Sequence, residues 1–358
     1  MVAETHKTYV YVGLAGEHPL VVGTQGSALG VGGLYRRADG DDEWQSKIKG
    51  LPANPQVRAL AVRPDNPRVV YAGVQDGVYR SDDRGDHWEA TRSHKGEVWS
   101  LAFHPDDADI LLAGYDRGAI CRSDDGGETW RKTDTSKVVF PHITMHPTEI
   151  VKRVIGLAFD ATNPQDVYGA IEVGGLLASR DEGESWESIT DGHYTSVGPV
   201  DLHGVQVNPI APGLVYIITQ LAMFRSRDRG SRWEFVRLEE MFPGGSYCRG
   251  LVVAPNDPRI MYLAAGAGGG SAPQGTKEAG ALYRSCDAGE TWDRVDLGDT
   301  PPSRMFQIAI DPAAPSHVYC CAYRGEVYSS NDGGSAWSKS QVPVETSRIR
   351  HVYPMVCG

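Results

Sequence analysis

The chain has 358 residues, of which 41% are hydrophobic and 23% charged, with 42 glycines and a formal net charge of −11. That charge removes the electrostatic case for nucleic acid or an anionic membrane surface as partner, although a local basic cluster still admits a small anion. No apolar run reaches the roughly eighteen residues that a membrane-spanning helix needs.

At the N-terminus, MVAETHKTYVYVG has neither a basic n-region nor an apolar h-region, so the expected address is the cytoplasm. The six cysteines, Cys121, Cys248, Cys286, Cys320, Cys321 and Cys357, form no C-x-x-C pair. They read as free thiols of a reducing compartment, with Cys320 and Cys321 on opposite faces of one strand.

Reading on, one pattern, S-x-D-x-G-x-x-W, dominates. Its copies are Ser81-Asp83-Gly85-Trp88, Ser123-Asp125-Gly127-Trp130, Ser179-Asp181-Gly183-Trp186, Ser226-Asp228-Gly230-Trp233, Ser285-Asp287-Gly289-Trp292 and Ser330-Asp332-Gly334-Trp337. A degenerate copy, Arg37-Asp39-Asp41-Trp44, precedes them, so seven of the eight tryptophans belong to one motif. Each copy makes sense as a hairpin turn. Ser and Asp side chains bond backbone N–H groups, glycine supplies a positive φ, and the indole packs as a wedge where the next strand opens.

Four strands surround each turn; around the second tryptophan they read VRALAVRP, VVYAGV, GVYRS and WEATR. Successive tryptophans lie 44, 42, 56, 47, 59 and 45 residues apart, the size of a four-stranded propeller blade. The chain enters at the second strand of blade one, TYVYVGLAG, and the terminal segment SRIRHVYPMV is left to fill the missing inner strand. The expectation is all-β: residues 1–358 as a single seven-bladed β-propeller with four-stranded blades, closed by its C-terminal strand in blade one, which removes the two sheet edges the termini would otherwise expose.

The motif is the Asp-box, or BNR repeat, and the chain resembles sialidase-type and photosystem II assembly-factor-type propellers over nearly its whole length. The resemblance is specific for architecture; in such proteins the Asp-box lies away from the active site, which implies a structural role for these aspartates. Sialidase activity itself is not expected: no F-R-I-P segment precedes the repeats, seven blades replace six, and no Tyr–Glu nucleophile pair can be assigned. Asp-box endo-glucanases use two propellers facing each other, and this chain has one, which argues against that activity as well.

With strands A to D counted outward from the channel, the motif turns join C to D and mark one face, the bottom. Insertions at 15–32, about 133–152 and 266–280 fall on the opposite face, with His18, His94, His142, His146, His193 and His203. Loops on one end of a rigid scaffold are where binding and chemistry reside, so the top is the expected functional face. Aligning the starts of the A strands yields one column, Arg58, Trp99, Ile155, His203, Arg249, Phe306 and Arg348. Two residues upstream stand Gln56, Glu97, Arg153, Asp201, Tyr247, Arg304 and Thr346.

Three chemistries follow. Arg58, Arg249 and Arg348, with Arg304 nearby, form a candidate clamp for the carboxylate of a small anionic substrate, similar in kind to the arginine cluster of sialidases; inter-blade ion pairing with Glu97 or Asp201 is the competing use. Asp201 and His203 flank one residue, so a carboxylate can orient an imidazole for general acid–base work in a hydrolase or lyase. His142, His146 and Glu149 with His193 are a candidate site for zinc or another divalent transition metal, set against solvated loop histidines, since Pro141 and Pro147 break any aligning helix. Trp99 is a candidate stacking surface for a ring or sugar. The alternatives from other classes are a protein-binding scaffold of the assembly-factor type and a glycan-binding or glycoside hydrolase-like protein. The last requires paired carboxylates, for which Glu97 and Asp201 are the candidates.

Overall fold

The computed structural model describes residues 7–16, 30–143, 150–190, 192–194, 200–220, 222–236, 246–267, 280–345 and 351–358. Among them there is no α-helix, and none long and apolar enough to cross a membrane. Seven sheets of antiparallel strands form the blades. Their inner strands are Ala59–Val62, Val98–Phe103, Arg153–Phe159, Leu202–Val207, Ser246–Val253, Met305–Ile310 and His351–Cys357, and each packs beside the next to close a ring. Blade one closes as expected. His351–Cys357 pairs antiparallel with Tyr9–Ala15, Val10 opposite Cys357, so the last strand of the chain lies inside the first.

Each seam between neighbouring blades is a separate apolar cluster. Val12, Leu14, Tyr319 and Val327 join blades one and seven; Leu112, Ile120, Val154 and Trp186 join blades three and four. Cys321 faces the first of those seams and Cys320 the seam between blades six and seven, the split that strand alternation demands. Blades approach so closely that a side chain on the second strand is excluded at some positions. A Cβ on Gly73 would meet Val98 Cγ1 at 2.5 Å, and one on Gly114 would meet the Val154 carbonyl at 2.6 Å.

On the bottom face the six complete turns repeat one set of bonds. In blade two the Ser81 hydroxyl donates to Asp83 Oδ1 at 2.8 Å and accepts from Gly85 N at 2.8 Å, while Asp83 Oδ1 accepts from His87 N at 2.9 Å. Blade six repeats this with Ser285, Asp287, Gly289 and Thr291. The turn demands more than the motif glycine. The residue before it is also left-handed, with φ of 61° at Arg84, 59° at Glu182, 63° at Arg229 and 57° at Ala288, and only Gly126 and Gly333 escape the steric penalty. Whether or not that residue is glycine, its carbonyl is bonded from the preceding blade, as by Tyr11 on Arg84 at 3.2 Å. Tyr71 donates to the Gly126 carbonyl at 2.6 Å, Tyr216 to Ala288 at 2.5 Å and Tyr262 to Gly333 at 3.0 Å. Blade three has Leu112 in the equivalent place, packed against Gly183 of blade four.

Blade four departs from the pattern. Asp134–Lys137, from the insertion between blades three and four, adds a fifth strand parallel to Ser185–Ser188. Beyond it, His142–Ile143 pairs with His193–Tyr194 in a small parallel sheet, with His142 and His193 as register partners. Ile143, Ile150, Val173 and Val200 form an apolar roof there.

Candidate functional site at the channel mouth

The column of residues at the strand-A starts has a structural cause that alternation alone does not reveal. In blades three to seven the inner strand carries a β-bulge, and the extra residue is in turn Trp99, Ile155, His203, Arg249 and Phe306. In blade two Arg58 and Ala59 share Gly73 in the same way, Arg58 N donating to its carbonyl at 3.0 Å. A bulge re-aims a side chain that a regular strand would point into the seam. In blade one the irregularity falls between Val352 and Met355, so Tyr353 and Pro354 occupy the place that the sequence reading gave to Arg348. Arg348 itself lies outside the described residues, as do His146 and Glu149.

Around much of the ring the bulged side chain reaches forward to the next blade. Arg58 is fully buried and its Nε donates to Glu97 Oε1 at 2.6 Å. Its guanidinium carbon lies 4.5 Å from the Trp99 ring centre, and that of Arg153, from the blade beyond, lies 4.7 Å from the same ring. The indole N–H donates to Glu97 Oε2 at 3.1 Å. Trp99 is thus a buried layer between two arginines, and the sugar-stacking surface expected of it is already taken up by them. Arg153 in turn donates to Glu172 at 2.5 Å. Glu172 precedes Val173, whose φ of 54° is an outlier for a β-branched residue, and strain of this kind gathers at functional sites.

Across the ring, Arg249 donates to the Tyr247 hydroxyl through Nη2 at 2.9 Å and stacks 5.1 Å from the Phe306 ring centre. Arg304 sits 4.3 Å from the centre of the Tyr247 ring. Burial pulls the Arg249 pKa down, but Tyr247, Glu172 and Asp201 outweigh it and hold it above the usual arginine value. Of the arginines that the sequence grouped as an anion clamp, Arg58, Arg249 and Arg304 therefore already meet carboxylates or aromatic rings of their own or neighbouring blades.

His203 and Asp201 are brought together as a pair. The ring is buried, Nδ1 lies 2.7 Å from the Cys248 carbonyl of the next blade, and Nε2 lies 3.8 Å from Asp201 Oδ2. Tyr247 packs on the imidazole with centres 4.8 Å apart. Burial lowers the His203 pKa, the positive Arg249 lowers it further, and Asp201 opposes both. Asp201 keeps 14% of its side chain exposed, while its Oδ1 is buried with no hydrogen-bond partner among the described residues. Of the metal candidates, His142 is exposed on its short strand, and no group of three or more His, Cys, Asp or Glu able to hold an ion occurs among the described residues.

No family model matches the chain. Among curated proteins it is 25% identical over 221 residues to xyloglucanase Xgh74A of Acetivibrio thermocellus, covering 51% of this chain and 25% of that protein. It is 30% identical over 224 residues to a xyloglucanase of a Paenibacillus species, covering 52% and 20%. The chain thus spans a quarter or less of the length of these relatives. Among solved structures, a GH74 xyloglucanase from Xanthomonas campestris superposes with a TM-score of 0.63 at 19% identity, over 86% of this chain and 51% of that one. YCF48 bound to D1 peptide superposes with a TM-score of 0.55 at 16% identity, over 88% and 87%. At these identities the structural matches establish the propeller fold.

Proposed function

We propose that this chain is a glycan-acting propeller of the glycoside hydrolase class that takes a xyloglucan-type β-glucan at its channel mouth. The observation that carries this reading is the sequence similarity to curated xyloglucanases across about half of the chain. The mouth supports it. Arg58 and Arg153 are bonded to Glu97 and Glu172, which suits a rigid polar rim better than a clamp awaiting a small anion. Of the two carboxylates nominated for glycoside chemistry, Glu97 is engaged by Arg58 and Trp99, whereas Asp201 keeps 14% of its side chain exposed. Asp201 is therefore the carboxylate assigned to the sugar, and cleavage needs a second one facing it across the substrate. The Asp-box reading of the turns belongs with this proposal: their aspartates are scaffold, remote from the chemistry.

The test is calorimetric titration with xyloglucan oligosaccharides, followed by an assay of reducing ends released from the polymer. Saturable binding is the expected outcome. Absence of both heat and released ends would remove the reading. A second reading, a protein-binding scaffold, is favoured by the match to YCF48 bound to D1 peptide, which runs along nearly the full length of both chains. Saturable binding of an extended peptide without any response to glycan would select it.

A further inference from the structure

Backbone carbonyls only accept hydrogen bonds, so a neutral His203 can meet the Cys248 carbonyl at 2.7 Å only with its proton on Nδ1. The lone pair then sits on Nε2. That nitrogen faces Asp201 Oδ2 at 3.8 Å, and a carboxylate oxygen is also an acceptor. Two acceptors confront each other across a gap too wide for a direct hydrogen bond. The neighbouring Asp201 Oδ1 is a further buried acceptor without a partner among the described residues. Arg249, the donor beside these acceptors, is directed to the Tyr247 hydroxyl, so they call for donors from outside.

We infer that Asp201 and His203 form a sugar-hydroxyl site, in which two vicinal hydroxyls of a pyranose donate to Asp201 and to His203 Nε2. The inference rests on the glycan reading above and names the groups that meet the sugar. Vicinal hydroxyl oxygens lie about one hydrogen-bond length apart, which suits acceptors separated by 3.8 Å. Neutral donors fit better than an ammonium group, because Arg249 already supplies a positive charge beside both residues. The same charge, with burial, works against protonation of His203 despite Asp201. The groups facing the imidazole are Asp201, Tyr247, Arg249 and the Cys248 carbonyl. The pair is thus a binding element, and His203 holds its lone pair ready for a donor and is not the proton carrier.

The experiment is nitrogen-15 NMR of the full chain labelled at histidine, at neutral pH, alone and with two probes. The probes are xyloglucan oligosaccharides and, separately, glucose in large excess as a bare vicinal diol. The free protein is expected to show His203 with Nδ1 protonated and Nε2 bare, and sugar is expected to shift Nε2. Asp201→Asn should weaken oligosaccharide binding about 10- to 100-fold, the range for losing a charged hydrogen-bond partner. Asp83→Asn, in a bottom turn, should leave binding unchanged. A proton on Nε2 in the free protein overturns the inference, as does a His203 signal indifferent to both probes. A shift with glucose but not with the oligosaccharides keeps the hydroxyl site and removes the xyloglucan reading.

Discussion

The two ends of the propeller are built on opposite plans. At the bottom, six turns repeat one local set of bonds, and blade two can be exchanged for blade six without altering the description. At the top, bulges recur in the inner strands, yet their residues differ, from Arg58 through Trp99 to His203 and Phe306. The bonds that define each bottom turn lie within a few residues of each other, and tyrosines and arginines of the preceding blade, such as Arg36 on the Arg84 carbonyl, tie successive turns together in a repeated way. At the mouth, a bulged side chain such as Arg58 meets a partner of the next blade, here Glu97, that differs from seam to seam. Repetition specifies a scaffold. What breaks the repetition, on a backbone irregularity that recurs at the same place, specifies a site.

The largest test of this contrast is Arg58→Ala. The Arg58–Glu97 pair is almost wholly buried, and removing one partner of such a pair leaves an uncompensated charge, at a cost of about 3–5 kcal/mol. Urea unfolding would measure it, and a loss below about 1 kcal/mol would show that the mouth is not tied together by its arginines. Next comes Ser226→Ala, which takes the acceptor from Gly230 N at 2.8 Å in a buried turn. The expected loss is about 1–3 kcal/mol, and Ser285→Ala should match it because its bonds are the same. Unequal losses would break the equivalence of the turns.

A smaller effect for each residue, but one summed over the bottom face, is expected in acid. The carboxyls of Asp83, Asp125, Asp181, Asp228, Asp287 and Asp332 all titrate below the usual aspartate value. For Asp83 burial acts to raise the value, but bonds from His87 and Ser81 outweigh it and bring it to about 2. A carboxyl with a folded pKa below its unfolded one stabilises the fold above the unfolded value, and that contribution is lost as pH falls through the folded one. Stability should therefore decline from about pH 4 downward, reaching the Asp83 value at about 2. Asp83→Asn should flatten the slope in a series of urea midpoints; an unchanged slope would mean that these carboxyls are not linked to folding.

The same contrast explains what could be read without coordinates. Blade number, ring closure by the last strand, the opposite faces of Cys320 and Cys321 and the bonding of Ser and Asp in the turns all follow from periodic, local chemistry. The left-handed residue before each motif glycine escaped notice because Arg84, Glu182, Arg229 and Ala288 carry no mark of it in their side chains. At the mouth, residue types pointed to the right strand starts, but bulges leave no trace in hydrophobic alternation. Arg348 was accordingly aligned several residues from the blade-one irregularity at Tyr353 and Pro354. Partner choice was equally hidden, since nothing in the order of residues says that Trp99 lies between Arg58 and Arg153.

The most direct test of the claim that function sits on the irregular face is amide hydrogen exchange with and without xyloglucan oligosaccharides. Protection is expected at the strand starts around Arg58, Trp99, His203 and Arg249, with the six bottom turns unchanged. Protection confined to the bottom turns, or none at the mouth under saturating oligosaccharide, would contradict it.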